Sequence, residues 1–403
     1  MSRGKIIIGL TVFVDVVGIG IVIPVLPVFL HGYIDSPFWI EMFFAIYAFC
    51  GFFAAPILGA LSDKYGRRLI LILSIFGTAV GWFIFALGSK SLICLVIGRI
   101  IDGITSGNIS TAQSYMVDIS KNKIERTKNL GFIGAIFGIG FIVGPAIGGV
   151  LSKFSLLLPF FFTAGLATLN AVSAYLFLPE SHAQRDHERK ISMNPFKDIF
   201  GAFGISSIRP LLISWFLYTI CFGIVQAAFS LYGYLAFGFS PTMNGAIMAM
   251  IGVVIAINQG FLLKNLWLKY FSENRLAIMS TLWLMAAYGL MAIHSIYVLI
   301  IALILSAFGQ SLTRVINNSS VSHLVPPKQV GTIMGVMQSI MFLSAILAPI
   351  IGGIALEYNL MLPWLISAGL MVIALVIIQT HYSKMKKIEL FKEIEEPIVP
   401  EYI

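Results

Sequence analysis

Hydrophobic residues in this chain fall in long, nearly unbroken runs, and polar residues are confined to the short segments between them. Twelve runs, 6–30, 39–61, 69–89, 92–113, 130–151, 157–178, 209–235, 243–263, 276–294, 296–318, 332–355 and 362–382, reach the roughly 20 residues that a membrane-crossing helix needs. A soluble chain would show amphipathic periodicity instead. The longest break, 179–208, is charged and divides the runs six and six. The pattern predicts an all-α integral membrane protein. Its expected organisation is a six-helix bundle over 1–182, a linker over 183–204, a second six-helix bundle over 205–383 and a tail over 384–403.

The two sets of runs repeat one another weakly. At a constant offset of 204 residues Gly131 falls on Gly335, Pro145 on Pro349 and Gly148-Gly149 on Gly352-Gly353. Repeats of one orientation occur in secondary transporters, whose halves rock around a site near the bilayer midplane. Gly140, Gly144 and Gly148 are spaced by four, so they form one stripe that lets another helix approach closely. Pro145 adds a kink or local rigidity. Ser344, Ala348 and Gly352 form the matching stripe in run 11, and Gly51, Ala55 and Gly59 form one in run 2. For run 5 the expected neighbour is the other half; for run 2 it is ordinary packing.

Composition agrees with the pattern. Hydrophobic residues make up 58% of the 403 and charged residues 11%, against about 25% charged in ordinary soluble domains; the mean hydropathy is +0.94. The net charge of +8 is informative segment by segment. With the N-terminus in the cytoplasm, 22 of the 26 Lys and Arg fall in inside segments, and only Lys90 and Lys153 fall outside. That bias predicts both termini cytoplasmic in a cell inner membrane. The first run lacks a short apolar core followed by a small-residue cleavage site, so it is expected to be retained. The acidic end, 389–403, is expected to be a disordered, solvated tail. Cys50, Cys94 and Cys221 lie within runs and read as packing residues. No metal-ligand cluster, nucleophile arrangement or repeated filter sequence suggests an enzyme or a channel. No cofactor, metal or nucleic acid is expected.

The remaining Lys and Arg, Arg99 and Arg314, lie inside runs, as do Asp15 and Asp102. At 1.5 Å per residue Asp15 lies ~13 Å from the cytoplasmic start of run 1, and Asp102 lies ~15 Å down run 4 from the outside. Both carboxylates are therefore near the middle of a ~30 Å hydrocarbon core. Arg99, three residues before Asp102, shares its helix face. Charges at that depth face a wet cavity or each other. Arg99 and Asp102 read either as a structural ion pair or as part of a coupling site. Asp15, with no cation nearby on its own helix, reads as a proton carrier. Tyr218, Gln226, Asn258 and Arg314 are candidates for a substrate path in the second half. Interhelical hydrogen bonding, or snorkelling for Arg314, is the alternative.

The loop between runs 2 and 3 reads GALSDKYGRR (59–68). Its Gly59, Asp63, Gly66, Arg67 and Arg68 resemble the loop signature of the major facilitator superfamily. GRIIDGITSGN (98–108), GIGFIVGPAIGG (138–149) and LPES (178–181) resemble the family's helix-4, helix-5 antiporter and helix-6 patterns. The opening stretch with Asp15, Gly18, Gly20, Pro24 and Pro27 is similar to helix 1 of the tetracycline/proton antiporters. The resemblance is good over about 8–182 and looser beyond. It implies the major facilitator fold, twelve helices in two pseudo-repeats, and proton-coupled antiport of a small amphipathic compound such as a drug, siderophore or metabolite. The alternative is a symporter or facilitator importing a small organic metabolite. The resemblance also implies a charge latch of Asp63, Gly66, Arg67, Arg68 and, at the end of helix 4, Asp118. The antiporter motif would be Gly140, Gly144, Pro145, Gly148 and Gly149. Expected partners are a small-molecule substrate, protons and the bilayer, with the chain a monomer. One departure stands out: where tetracycline antiporters carry acids in helices 3 and 9, this chain has Gly81 and an acid-free 276–294.

Overall fold

The computed structural model describes residues 3–120, 123–181, 196–325 and 330–395. Among them every regular element is a helix. The first half holds α1 (Arg3–Val22), α2 (Leu26–His31), α3 (Pro37–Tyr65), α4 (Arg67–Leu87), α5 (Leu92–Ile104), α6 (Asn108–Asp118), α7 (Lys123–Leu151) and α8 (Leu158–Phe177). After α9 (Phe196–Phe203), the second half holds α10 (Arg209–Phe237), α11 (Pro241–Ile257), a π-helical stretch (Asn258–Trp267), α12 (Leu268–Tyr270), α13 (Glu273–Met291), α14 (Ile296–His323), α15 (Val330–Tyr358) and α16 (Leu362–Glu395). Eleven continuous stretches among the described residues are long and apolar enough to cross a membrane. The twelfth crossing is α13, 19 residues with Glu273 in its first turn, packed on α14 and α16.

Three runs are interrupted, each for a local reason. Run 1 breaks at Pro24, which offers no N–H to the helix; α2 restarts with Val25 N–H bonded to the Val22 carbonyl at 3.0 Å. Run 4 breaks at Thr105-Ser106-Gly107, where the Thr105 hydroxyl bonds back to the Ile101 carbonyl at 2.8 Å and the Gly107 N–H turns to Thr105 at 2.8 Å. Run 8 widens into the π-helical stretch, closed by Trp267 Nε1 donating to Asn258 Oδ1 at 2.6 Å. Two expectations need correction. The segment expected as linker contains helix α9, packed on α10 and α15, while 182–195 lies outside the described residues. The last helix continues through its Lys- and Glu-rich end to Glu395, residue types that favour helix; 396–403 lies outside the described residues.

An even number of crossings returns both chain ends to one side, here termed the termini face; the other is the far face. Within the first half α1 packs on α7 and α8, and α4 on α5 and α8; within the second, α10 packs on α15 and α16. Two pairs join the halves extensively, α3 with α15 and α7 with α11. Cross-half hydrogen bonds cluster towards the far face: Ser36 to Glu357 at 3.2 Å, Ser230 to the Ile23 carbonyl at 3.4 Å and Thr242 to the Gly149 carbonyl at 2.6 Å. Apolar packing follows the same division. One core cluster runs from Val25, Phe29 and Ile40 into Tyr232 and Trp364. Nearer the termini face, Ile8, Leu71, Tyr115 and Leu178 form a separate cluster of first-half residues alone.

The glycine stripe is where the structure departs from expectation. Gly140, Gly144 and Gly148 face α1, not the other half. A Cβ on Gly144 would stand 2.8 Å from Gly20 Cα, and one on Gly140 would stand 2.8 Å from a Val16 methyl. The cross-half contact belongs to Gly149, whose Cβ would lie 3.1 Å from Thr242 Cα. The repeat copies this division: Ser344 bonds Thr219 of α10 at 2.7 Å, whereas a Cβ on Gly353 would meet Phe38 Cα of α3 at 2.9 Å. The reason is geometric, because neighbouring positions on a helix point about 100° apart and so meet different helices. Gly144→Val should lower unfolding free energy by about 1–3 kcal/mol through overpacking, while Gly134→Val, with open space at its Cβ, should leave it nearly unchanged. Thermal unfolding in detergent compares the two.

Candidate functional site

The break in run 4 gathers polar side chains from five helices of the first half. Asp15 of α1, Tyr47 of α3, Thr78 of α4, Asp102 of α5 and Asn108 of α6 line one cavity, with Trp82 and Thr163 completing its wall. The two carboxylates picked out by depth thus share one space, and every residue lining it belongs to the first half.

The carboxylates differ in their partners. Asp102 is held by Arg99, whose Nη1 donates to Oδ2 at 3.0 Å. Arg99 also donates from Nε to the Phe43 carbonyl at 3.2 Å, and its guanidinium lies 4.6 Å from the Tyr47 ring and 5.1 Å from the Trp82 ring. Burying a guanidinium in hydrocarbon requires such a set: an anion, a carbonyl and two aromatic faces. Asp15 makes no ion pair among the described residues; the Asn108 amide faces it, and Asn108 Oδ1 has no hydrogen-bond partner. Tyr47, Thr78, Trp82 and Asn108 escaped sequence reasoning. The available signal was Arg99, since a buried cation demands aromatic or anionic neighbours.

The GALSDKYGRR loop forms a second cluster at the termini face. Gly66 joins α3 to α4 with φ of +106°, a conformation that favours glycine. Arg67 is buried; it pairs with Asp63 one turn earlier and with Asp118 at the end of α6 at 3.0 Å. Arg68 takes a different route, donating to the Tyr175 carbonyl. Glu180, in the LPES segment, follows α8. Its carboxylate accepts the Arg67 N–H at 2.9 Å and the Arg68 N–H at 3.3 Å, capping the α4 N-terminus, where an anion is favoured. The cluster ties α3, α4, α6 and α8 together wholly within the first half.

The second-half candidates are more dispersed. Tyr218 is buried and donates to the Gln310 carbonyl at 3.4 Å. Arg314, one turn beyond Gln310, is exposed, lies near Tyr218 and makes no ion pair among the described residues. Gln226 is half-buried two turns along α10 from Tyr218. Asn258 is committed elsewhere, to Ser311 and Trp267.

Comparison with known proteins gives a consistent picture. The family model described as Major Facilitator Superfamily matches residues 8–271 and 260–402. Tetracycline resistance protein, class H, of Pasteurella multocida is 30% identical over 397 residues, 95% of this chain and 98% of that protein. Multidrug resistance protein 2 of Bacillus subtilis (strain 168) is 28% identical over 377 residues, 90% of this chain and 91% of that one. Among solved structures, the human organic anion transporter MFSD10 (TETRAN) superposes with a TM-score of 0.70 at 22% identity, covering 93% of this chain and 99% of that one. The nucleoside transporter NupG superposes with a TM-score of 0.75 at 16% identity, covering 95% and 99%.

Arg67→Ala, which removes a buried guanidinium together with its ion pairs to Asp63 and Asp118, should destabilise the protein by about 1–3 kcal/mol. Arg68→Ala, which removes a side chain that makes no ion pair among the described residues, should cost less than about 1 kcal/mol. Unfolding of the two variants in detergent tests the difference.

Proposed function

Since the chain belongs to the Major Facilitator Superfamily, a family of multi-pass membrane transporters, we propose that it exports a small amphipathic, drug-like compound in exchange for protons. The observation that carries this reading is the unequal pair in the first-half cavity: Asp102 is held by Arg99, and Asp15 is held by no cation among the described residues. A carboxylate in a confined polar cavity can take up and release a proton, whereas Asp102 has its charge balanced at 3.0 Å. Asp15 is the proton carrier, and Arg99 and Asp102 fix the cavity around it. The names of the relatives, tetracycline and multidrug resistance proteins, support efflux of a drug-like substrate. The acid-free segment 276–294 and Gly81 on α4 favour a substrate other than tetracycline itself.

In this reading the segments 1–182 and 205–383 rock against each other. The far face is the outside of a bacterial inner membrane and the termini face is cytoplasmic, in keeping with the 22-to-2 distribution of loop Lys and Arg. The chain works as a monomer. Asp63, Gly66, Arg67, Arg68, Asp118 and Glu180 keep the cytoplasmic ends of the first half in one piece during the stroke. Gly149 and Pro145 supply its contact with α11. Tyr218, Gln226 and Arg314 lie along the substrate path of the second half, with Asn258 shaping its wall.

Asp15→Asn keeps the side-chain size and removes the titratable proton. In proteoliposomes the variant should still bind and exchange substrate but lose accumulation driven by a pH gradient. Asp102→Asn should retain a measurable part of that accumulation. Full pH-driven transport by Asp15→Asn would overturn its role, and loss in Asp102→Asn alone would transfer the role to α5. For orientation, Lys153→Cys should react with an impermeant maleimide in intact cells and Lys64→Cys should not; the reverse pattern would invert the topology.

A further inference from the structure

Glu41 is a carboxylate that the proposed cycle does not use, and it lies where the halves meet. It is on α3, one turn past Pro37, with 0% exposure, and neither carboxylate oxygen has a hydrogen-bond partner among the described residues. Helix α15 of the other half crosses it at Gly353: a Cβ there would stand 3.0 Å from Glu41 Cβ. The side chain is therefore covered by the cross-half contact itself.

No neighbouring charge balances it. From α15, Glu357 accepts from Ser36 Oγ at 3.2 Å, and Tyr358 is exposed. From α5, Arg99 is bound to Asp102 and the Phe43 carbonyl. His31 at the end of α2 packs on Tyr234 of α10, ring to ring at 5.3 Å. The charged residues of the other helices on α3 are Arg67 and Arg68 of α4, Asp118 of α6 and Arg209 of α10, all at the termini face. An ionised carboxylate shielded from solvent, with neither donor nor cation beside it among the described residues, is strongly disfavoured. The neutral acid is the form compatible with a closed contact between α3 and α15.

We propose that Glu41 is a second proton-binding site, one that governs the far-face seal. The seam between α3 and α15 closes over the protonated carboxyl. When the seam opens, water reaches the group and the proton passes to the far-face solution. Closure requires a proton to return from that same solution, so the site carries no net charge across the bilayer. It makes the return stroke conditional on far-face protons. The inference rests on the halves alternating in access, but not on Asp15 as carrier.

The seam can be followed directly. Spin labels at Asp35→Cys and Tyr358→Cys, both exposed beside it, are placed in the full chain with Cys50, Cys94 and Cys221 replaced by Ala, in nanodiscs. From pH 5.5 to 8.5 the ratio of long to short label distances should rise by up to about tenfold per pH unit, the limit for one linked proton. Glu41→Gln should hold the short distance at every pH, and so should Glu41→Met, which replaces the acid by an apolar side chain of similar length. Asp15→Asn should keep the parent's response. A pH-independent parent, or a Glu41→Gln variant that titrates like the parent, would overturn the proposal. Because the readout is a distance, failure of Asp15-driven transport leaves it unaffected.

Discussion

Close helix approach at glycine is the constraint on which the rest of this structure depends. Lipid gives apolar side chains no reason to leave it for one another, so helices associate through backbone contact and van der Waals packing. Helix α7 shows how much one helix can do under that rule. Its Gly140, Gly144 and Gly148 lie on α1, and its Gly149 lies on α11. One face builds the first half, and the adjacent residue holds the second half against it. The repeat does the same with α15, between α10 and α3. Both joints between halves are therefore built on helices that are also structural members of their own bundle. A shift at the joint is passed straight to α1 and α10, and α1 carries Asp15.

Charge is distributed on a second principle: each Arg buried in the first half has dedicated partners among the described residues. Arg99 is enclosed by Asp102, a carbonyl and two aromatic rings; Arg67 is shared by Asp63 and Asp118. These sets lie on either side of the α5–α6 break within run 4, which allows a polar cavity beside Asp102 and leaves Asp118 to the corner at the termini face. Asp15 and Glu41 are the two carboxylates outside this scheme, one in a cavity and one in a seam. They are the groups to which the proposed proton chemistry is assigned.

Much of this was legible because lipid punishes misplaced polarity so heavily. The twelve runs, the depth of Asp15 and Asp102, and the pairing of Arg99 with Asp102 all follow from that penalty and from helix geometry. The loop charges were legible as a group from spacing. Glu180 was not, because its partners lie 113 and 112 residues away and nothing local marks it as a cap. The glycine stripe announced a close neighbour without saying which helix it was. Nothing in the sequence around Glu41 marks it as covered; only the position of Gly353 shows that another helix lies over it. The break after Asp102 was hidden because Thr, Ser and Gly are all tolerated in membrane helices, and the hydroxyl bond to Ile101 decides the matter.

The halves repeat in fold but differ in winding: among the described residues the second half alone has a π-helical stretch, Asn258–Trp267. The corner that follows α3 is braced by ion pairs and a cap, whereas the corresponding corner of the second half has ten residues wound in a wide coil. Wide coils of this kind are rare in helices and tend to occur at functional positions. Such a coil is stored slack. Tightening it to an α-helix would lengthen that arm and turn Lys264 and Lys269 around its axis, with little disturbance to α11 above. An equal push on both bundles would therefore deform one corner and leave the other as a fixed bearing, so that the two arms of this near-symmetric machine have different compliance.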